Sequence, residues 1–149
     1  MFKNAKKMTA ICAIVIFFIY LDRLLKTLAL SGRELKIAGN ILKFDFKANY
    51  DIAFSLPFSG AWLNVFIFSV ILALICFLAG ELKNGRDKIA LCLFCVIMGA
   101  SSNLFDRLKY GFVVDYFDLK YFTVFNLADA MIAAGALAAI FLCKKDRSC

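Results

Sequence analysis

The sequence predicts an α-helical integral membrane protein with four transmembrane helices and a small β segment on the outer surface. Of its 149 residues, 63% are hydrophobic, against roughly 45–50% in a soluble domain. These residues gather into four runs close to the ~20 residues needed to cross a hydrocarbon core. The formal charge of +7 sits in short clusters beside those runs, a membrane-topology pattern and not a nucleic-acid surface. Length gives a single membrane domain, 1–149. Histidine is absent, which excludes Ser-His and Cys-His catalysis and the commonest zinc ligand. Chemistry must run on carboxylates, lysine, amides or thiols.

The first apolar run, 9–29, follows Lys3, Lys6 and Lys7. That start resembles a secretory signal, but no small-x-small cleavage site follows a short apolar stretch and three further runs come later, so it reads as an uncleaved helix. Its last turns carry Asp22, Arg23 and Lys26, tolerable at an interface by snorkelling. In the loop 30–59, residues 41–48 alternate, with Leu42, Phe44 and Phe46 on one side and Lys43, Asp45 and Lys47 on the other. This is a half-buried strand pattern, expected on the outer membrane surface. The second run is 60–80. The third and fourth, 89–105 and 126–143, are shorter, which places their ends near the interface. The loop between them, 106–125, holds a β-prone segment, 112–119, with two carboxylates in an otherwise apolar stretch. In the fourth run, the small residues of 133–139 allow close packing on a neighbouring helix.

Basic residues are equally numerous on the two sides of the membrane. Nine are concentrated in three short segments, at the two termini and between runs two and three, while the other nine are diluted over two long loops rich in acids. Density and the N-terminal cluster place both termini in the cytoplasm and both long loops outside. Five of the six cysteines lie in or beside apolar runs, and Cys92-x-x-Cys95 has neither a second pair nor a histidine. They read as small core or lipid-facing residues, with no metal site and no disulfide framework.

Polar residues recur at the membrane ends. Gly99, Asn103 and Arg107 repeat every four residues on one helical face, Asp22 and Lys26 are an i,i+4 acid–base pair, and Asn126 and Asp129 are i,i+3. The assigned topology puts all of them at the outer end, as one candidate site. Each has a plainer reading: Asn126 and Asp129 as a helix N-cap with an N3 acid, Asp22 and Lys26 as a weak surface pair, Arg107 as a lipid-phosphate contact. Asp115 resists one, because a carboxylate in Val-Val-Asp-Tyr-Phe beside a membrane is costly unless paired or protonated.

Five segments carry a family resemblance: Asp22-Arg-Leu-Leu-Lys26, Asn49-Tyr-Asp-Ile-Ala-Phe-Ser55, Gly99-Ala-Ser-Ser-Asn-Leu-Phe-Asp-Arg107, Val113-Val-Asp-Tyr-Phe117 and Phe122-Thr-Val-Phe-Asn-Leu-Ala-Asp129. In order and spacing the chain resembles the lipoprotein signal peptidases (signal peptidase II), aspartic endopeptidases of the bacterial inner membrane. The resemblance implies that Asp115 and Asp129 are catalytic and that Asp22, Lys26, Asn49, Gly99, Asn103, Arg107 and Asn126 surround and support them. It implies a prolipoprotein substrate cut on the N-terminal side of a diacylglyceryl-modified cysteine, with no metal or cofactor. The enzyme is expected to work as a monomer in membrane lipid. Four positions depart from the family pattern: Arg23 stands where Gln is usual, Asp51 where Gly is common, Ser102 where Gly normally precedes Asn103, and Thr123 where Pro is frequent. Because glycine permits unusual backbone and close packing, the Asp51 and Ser102 departures bear on the geometry of the substrate loop.

Two adjacent carboxylates cannot both ionise at low cost, so such a pair shares one proton and offers one base and one acid. The positive end of the fourth helix favours an ionised Asp129, and the apolar setting of Asp115 favours its protonated form. An ion carrier or proton relay would place acids through the bilayer depth, whereas the interiors of runs two and three carry no charge. A scaffold protein would tolerate acid-to-amide changes silently.

Overall fold

A computed structural model describes residues 5–39, 41–50, 61–121 and 123–147. The described residues form four helices, α1 (Ala5–Leu30), α2 (Ala61–Lys83), α3 (Asp87–Tyr110) and α4 (Leu127–Arg147), and four strands, β1 (Leu35–Ala38), β2 (Leu42–Asn49), β3 (Val113–Leu119) and β4 (Val124–Phe125). Each helix is long and apolar enough to cross a membrane. Residues 51–55 of the second motif, Asp51 among them, and Phe122 lie outside the described residues.

The third helix is not short. It runs 24 residues, past the expected end at 105, because the Asp106 carboxylate is buried and paired instead of facing lipid. Gly111 stops it: at φ 81° it takes the left-handed conformation, and its N–H returns to the Arg107 carbonyl. The second helix likewise runs past 80 to Lys83. Glu81 in its last turn is buried but held by Arg86, with Nε–Oε2 and Nη2–Oε1 both at 2.7 Å. The fourth helix extends to Arg147, and its apolar span, Leu127–Lys144, is as short as expected.

The expected strands at 41–48 and 112–119 appear as β2 and β3, and the sequence pattern missed β1 and β4. All four residues of β1 are exposed and β4 has only two, so neither presents the alternating burial that marks a strand. The sheet is antiparallel throughout, ordered β1-β2-β3-β4. An irregularity between Phe44 and Lys47 shifts the β2–β3 register, after which Lys47 stands opposite Asp115 and Asn49 opposite Val113.

Helix α3 packs against α1, α2 and α4, and half of its membrane span is buried. One apolar cluster, Ile71, Ile97 and Leu104, joins α2 to α3. Another, Ala29, Phe44, Val114 and Tyr116, seats the sheet on the end of α1. Glycine makes the α3–α4 contact close. A Cβ on Gly99 would stand 2.7 Å from the Ala128 carbonyl oxygen, and one on Gly135 would stand 2.9 Å from that of Cys92. The close packing expected of 133–139 therefore rests on Gly135. Five cysteines, including Cys92 and Cys95, are free thiols, and no metal-binding group of side chains occurs among the described residues.

Gly135→Ala should lower thermal stability in detergent by roughly 1–3 kcal/mol, since backbone blocks the added methyl. Gly80→Ala, where nothing lies within 4 Å, should be neutral or stabilising by up to about 1 kcal/mol. Equal effects in the two variants would contradict a glycine-dependent α3–α4 contact.

Candidate active site

The first N–H groups of a helix have no partner within it, and at α4 each is met by a side chain. Leu127 N–H donates to the Tyr116 hydroxyl at 2.9 Å, Ala128 N–H to Asp22 Oδ1 at 3.3 Å, and Asp129 N–H to Asn126 Oδ1 at 2.9 Å. Asn126 N–H donates back to Asp129 Oδ2 at 3.1 Å, closing a reciprocal capping box. Tyr116 also donates to Asp22 Oδ1 at 3.0 Å. Burial and the Asp22 carboxylate push its phenol well above the usual range, so the hydroxyl keeps its proton for that bond.

Asp22 belongs to a buried ionic network. Its Oδ2 accepts from Ser102 Oγ at 2.7 Å and lies 3.2 Å from Lys26 Nζ. The Lys26 ammonium, 2% exposed, also reaches Asp106 Oδ2 at 2.7 Å and Asn103 Oδ1 at 2.8 Å. Asp106 in turn takes Arg23 Nη1 at 2.8 Å and Val114 N–H at 3.2 Å. Removing one partner from such a buried set costs about 3–5 kcal/mol, so the network fixes α1, α3, β3 and α4 against one another.

Asp115 and Asp129 meet through amides. Asp115 accepts from Asn126 Nδ2 at 2.7 Å and Asn49 Nδ2 at 2.9 Å. Asp129 accepts from Asn103 Nδ2 at 2.7 Å and from Asn126 N–H. Because the Asn103 oxygen faces Lys26, its NH2 must face Asp129; because the Asn126 oxygen faces Asp129 N–H, its NH2 must face Asp115. Burial and the neighbouring Asp129 charge push Asp115 up to about 6, against the opposing pull of Asn49, Asn126 and Lys26. The Arg107 guanidinium lies within electrostatic reach of Asp129, Asp115 and Asp106.

A family model described as Signal peptidase (SPase) II matches residues 14–144. The chain belongs to the signal peptidase II family. It is 34% identical over 110 residues to the lipoprotein signal peptidase of Caldicellulosiruptor bescii, covering 74% of this chain and 72% of that one. It is 30% identical over 144 residues to the lipoprotein signal peptidase of Clostridium novyi, covering 90% and 97%. The fold is similar to that of a solved bacterial membrane enzyme, with TM-score 0.78 and 22% identity over 94% of this chain and 90% of that one. Among family members, then, this is a multi-pass membrane peptidase.

The nine residues singled out from the sequence come together at the sheet end of the bundle. Gly99 contributes no polar group but lets Ala128, and with it Asp129, approach α3. Asn126 and Asp129 are a helix cap, as the plainer reading had it, and the same two side chains also bind Asp115 and Asn103. Asp22–Lys26 is buried, so the surface-pair reading is overturned. Ser102 lies inside α3 with its hydroxyl on Asp22. Thr123 is exposed and its carbonyl accepts from Leu119 N–H. The sequence reading missed Arg23, Asp106 and Tyr116 as members of this cluster. Asp106 carried a signal, since it lies seven residues after Gly99 and three after Asn103 on the same helical face.

A raised carboxylate makes stability fall as pH rises, because between the unfolded value near 3.8 and the folded value of about 6 the native state holds the extra proton. The contribution is full below pH 4 and lost as pH passes 6. Asp115→Asn should flatten the pH dependence of unfolding across this window by on the order of 2–3 kcal/mol. An unchanged slope would place the proton elsewhere.

Proposed function

We propose that the protein is an intramembrane aspartic endopeptidase that removes the signal peptide of prolipoproteins on the N-terminal side of the diacylglyceryl-modified cysteine. The observation that carries this reading is Asn126, whose side-chain amide binds one aspartate while its backbone N–H binds the other. Two carboxylates tied to one residue, with the charge of one acting on the other, favour a state with a single proton on the pair, leaving one base and one acid. Charge balance favours that state. Asp22, Asp106, Asp115 and Asp129 face Arg23, Lys26 and Arg107, so four acids against three bases reach neutrality with a single proton on the pair.

Asp129 is the base in this proposal. It sits in the first turn of α4, where the helix dipole favours an anion, and it is less buried than Asp115. It takes a proton from the water attacking the scissile carbonyl. Asp115, protonated at its raised value, hydrogen-bonds the developing oxyanion and then protonates the leaving amine. The pair titrates as a unit, so these roles describe one microstate. Asn103 and Asn126 hold the carboxylates in place. Asn49, donating to Asp115 from β2, lines the peptide path, and Arg107 adds positive potential for the oxyanion. No cofactor takes part.

In this reading both termini are cytoplasmic and the enzyme sits in the inner membrane as a monomer. The sheet and the aspartates then lie at the outer face, at the headgroup depth where a lipid-modified substrate presents its scissile bond. A proton relay is disfavoured by the same arrangement. Asp22, Asp106, Asp115 and Asp129 gather at one end, and the buried acid of the α2–α3 hairpin, Glu81, is neutralised by Arg86.

Cleavage of a diacylglyceryl-modified prolipoprotein by purified protein should fall at least roughly a hundredfold in Asp115→Asn and in Asp129→Asn, since general acid–base groups are worth about 10²–10⁴ each. The matching prolipoprotein lacking the diacylglyceryl group should be cut far more slowly. Retained activity in either amide variant sinks the aspartic mechanism, and a folded wild type that cuts neither substrate sinks the substrate assignment.

A further inference from the structure

Arg23 makes no ion pair with either member of the aspartate pair, yet it binds both acids that anchor the pair. Its Nη1 is 2.8 Å from Asp106 Oδ1 and its Nη2 is 3.5 Å from Asp22 Oδ2. Asp106 accepts the N–H of Val114, the residue before Asp115. Asp22 accepts the N–H of Ala128, the residue before Asp129, and the hydroxyl of Tyr116, the residue after Asp115. The guanidinium is stacked over the half-exposed Phe105 ring, 5.3 Å from its centre, which keeps it against the carboxylates instead of free to follow lipid phosphates.

We infer that Arg23 is a positioning residue for the reaction: by supplying the third cation of the site, it keeps the Asp115–Asp129 pair at one shared proton and so sets the pH range in which the pair can act. This rests on the aspartic mechanism proposed above. The charged groups facing the pair are Asp22 and Lys26 from α1, Asp106 and Arg107 from α3, and Lys47 opposite Asp115 on β2. Lys47 is committed to Asp45 at 2.9 Å, and Lys26 is divided between Asp22 and Asp106. Without Arg23, two cations would face four carboxylates. The pair would then hold a second proton more readily, and a doubly protonated pair has no base. Removing a positive charge favours every protonation step nearby, so both limbs of a bell-shaped profile move to higher pH together. A defect in packing alone would lower the height of the bell and leave its position unchanged.

The test is the pH dependence of kcat/KM on a diacylglyceryl-modified prolipoprotein for wild type, Arg23→Gln and Arg23→Lys, with Asp115→Asn and Asp129→Asn beside them. Arg23→Gln should move both limbs up by roughly 0.5–1 pH unit, and Arg23→Lys should leave them in place. Limbs that stay put or move down in Arg23→Gln overturn the inference, as does an equal upward shift in Arg23→Lys, which would make guanidinium geometry and not charge responsible. If Arg23→Gln does not fold, Phe105→Ala, at a half-exposed position, loosens the guanidinium and should shift the limbs in the same direction by less; no shift overturns the inference. Active amide variants of the aspartates would instead defeat the underlying mechanism, so the two failures are distinct.

Discussion

The structure of the site depends on one desolvated charge, the ammonium of Lys26. An ammonium removed from water needs compensation for several kcal/mol of lost hydration, and Lys26 finds it in three places at once: Asp22 on its own helix, Asp106 on α3 and the Asn103 oxygen on α3. Each partner then acts outward. Asp22 takes up the first turn of α4, Asp106 takes up the backbone of β3, and Asn103 turns its NH2 toward Asp129. Elements remote in sequence, α1, α3, β3 and α4, are thereby fixed relative to one another at the sheet end of the bundle.

The same logic removes the apparent choice between a structural and a chemical reading of Asn126 and Asp129. A helix that begins against buried carboxylates must have its leading N–H groups satisfied, and the capping box does that for one of them. Because Asn126 uses its oxygen in the cap, its NH2 is left pointing at Asp115. Capping is thus the means by which the amide is oriented, and the orientation is what ties the two aspartates together. Tyr116 plays the complementary part, accepting from Leu127 and donating to Asp22, so β3 and α4 are joined on both sides of the pair.

Much of this was readable in one dimension because the relevant signals are local. The apolar runs, the i,i+4 spacing of Asp22 and Lys26, the period-four stripe of Gly99, Asn103 and Arg107, and the carboxylate inside Val-Val-Asp-Tyr-Phe each announce themselves within a few residues. Helices α2 and α3 run past the ends of the apolar runs where a charge is neutralised. Asp106 and Glu81 are both acids inside helices, and each is tolerated because a cation from a distant or following segment neutralises it. Strand β1 went unseen because its exposed residues carry no burial pattern, and Tyr116 because an aromatic ring in an apolar strand gives no hint that its hydroxyl will be spent on a helix terminus.

What the sequence determined by itself is the class of protein and the inventory of its chemistry: its long hydrophobic runs belong in lipid, and a chain without histidine leaves the chemistry to carboxylates, lysine, amides and thiols. Tertiary structure decided which of those groups are partners. That Arg23 joins the site instead of snorkelling to the interface, that Ser102 bonds Asp22, and which way each asparagine amide faces are set by contacts between residues up to about a hundred positions apart. Electrostatics and hydrogen bonding are short-ranged in space, not in sequence, and only the folded chain brings those distances within their reach.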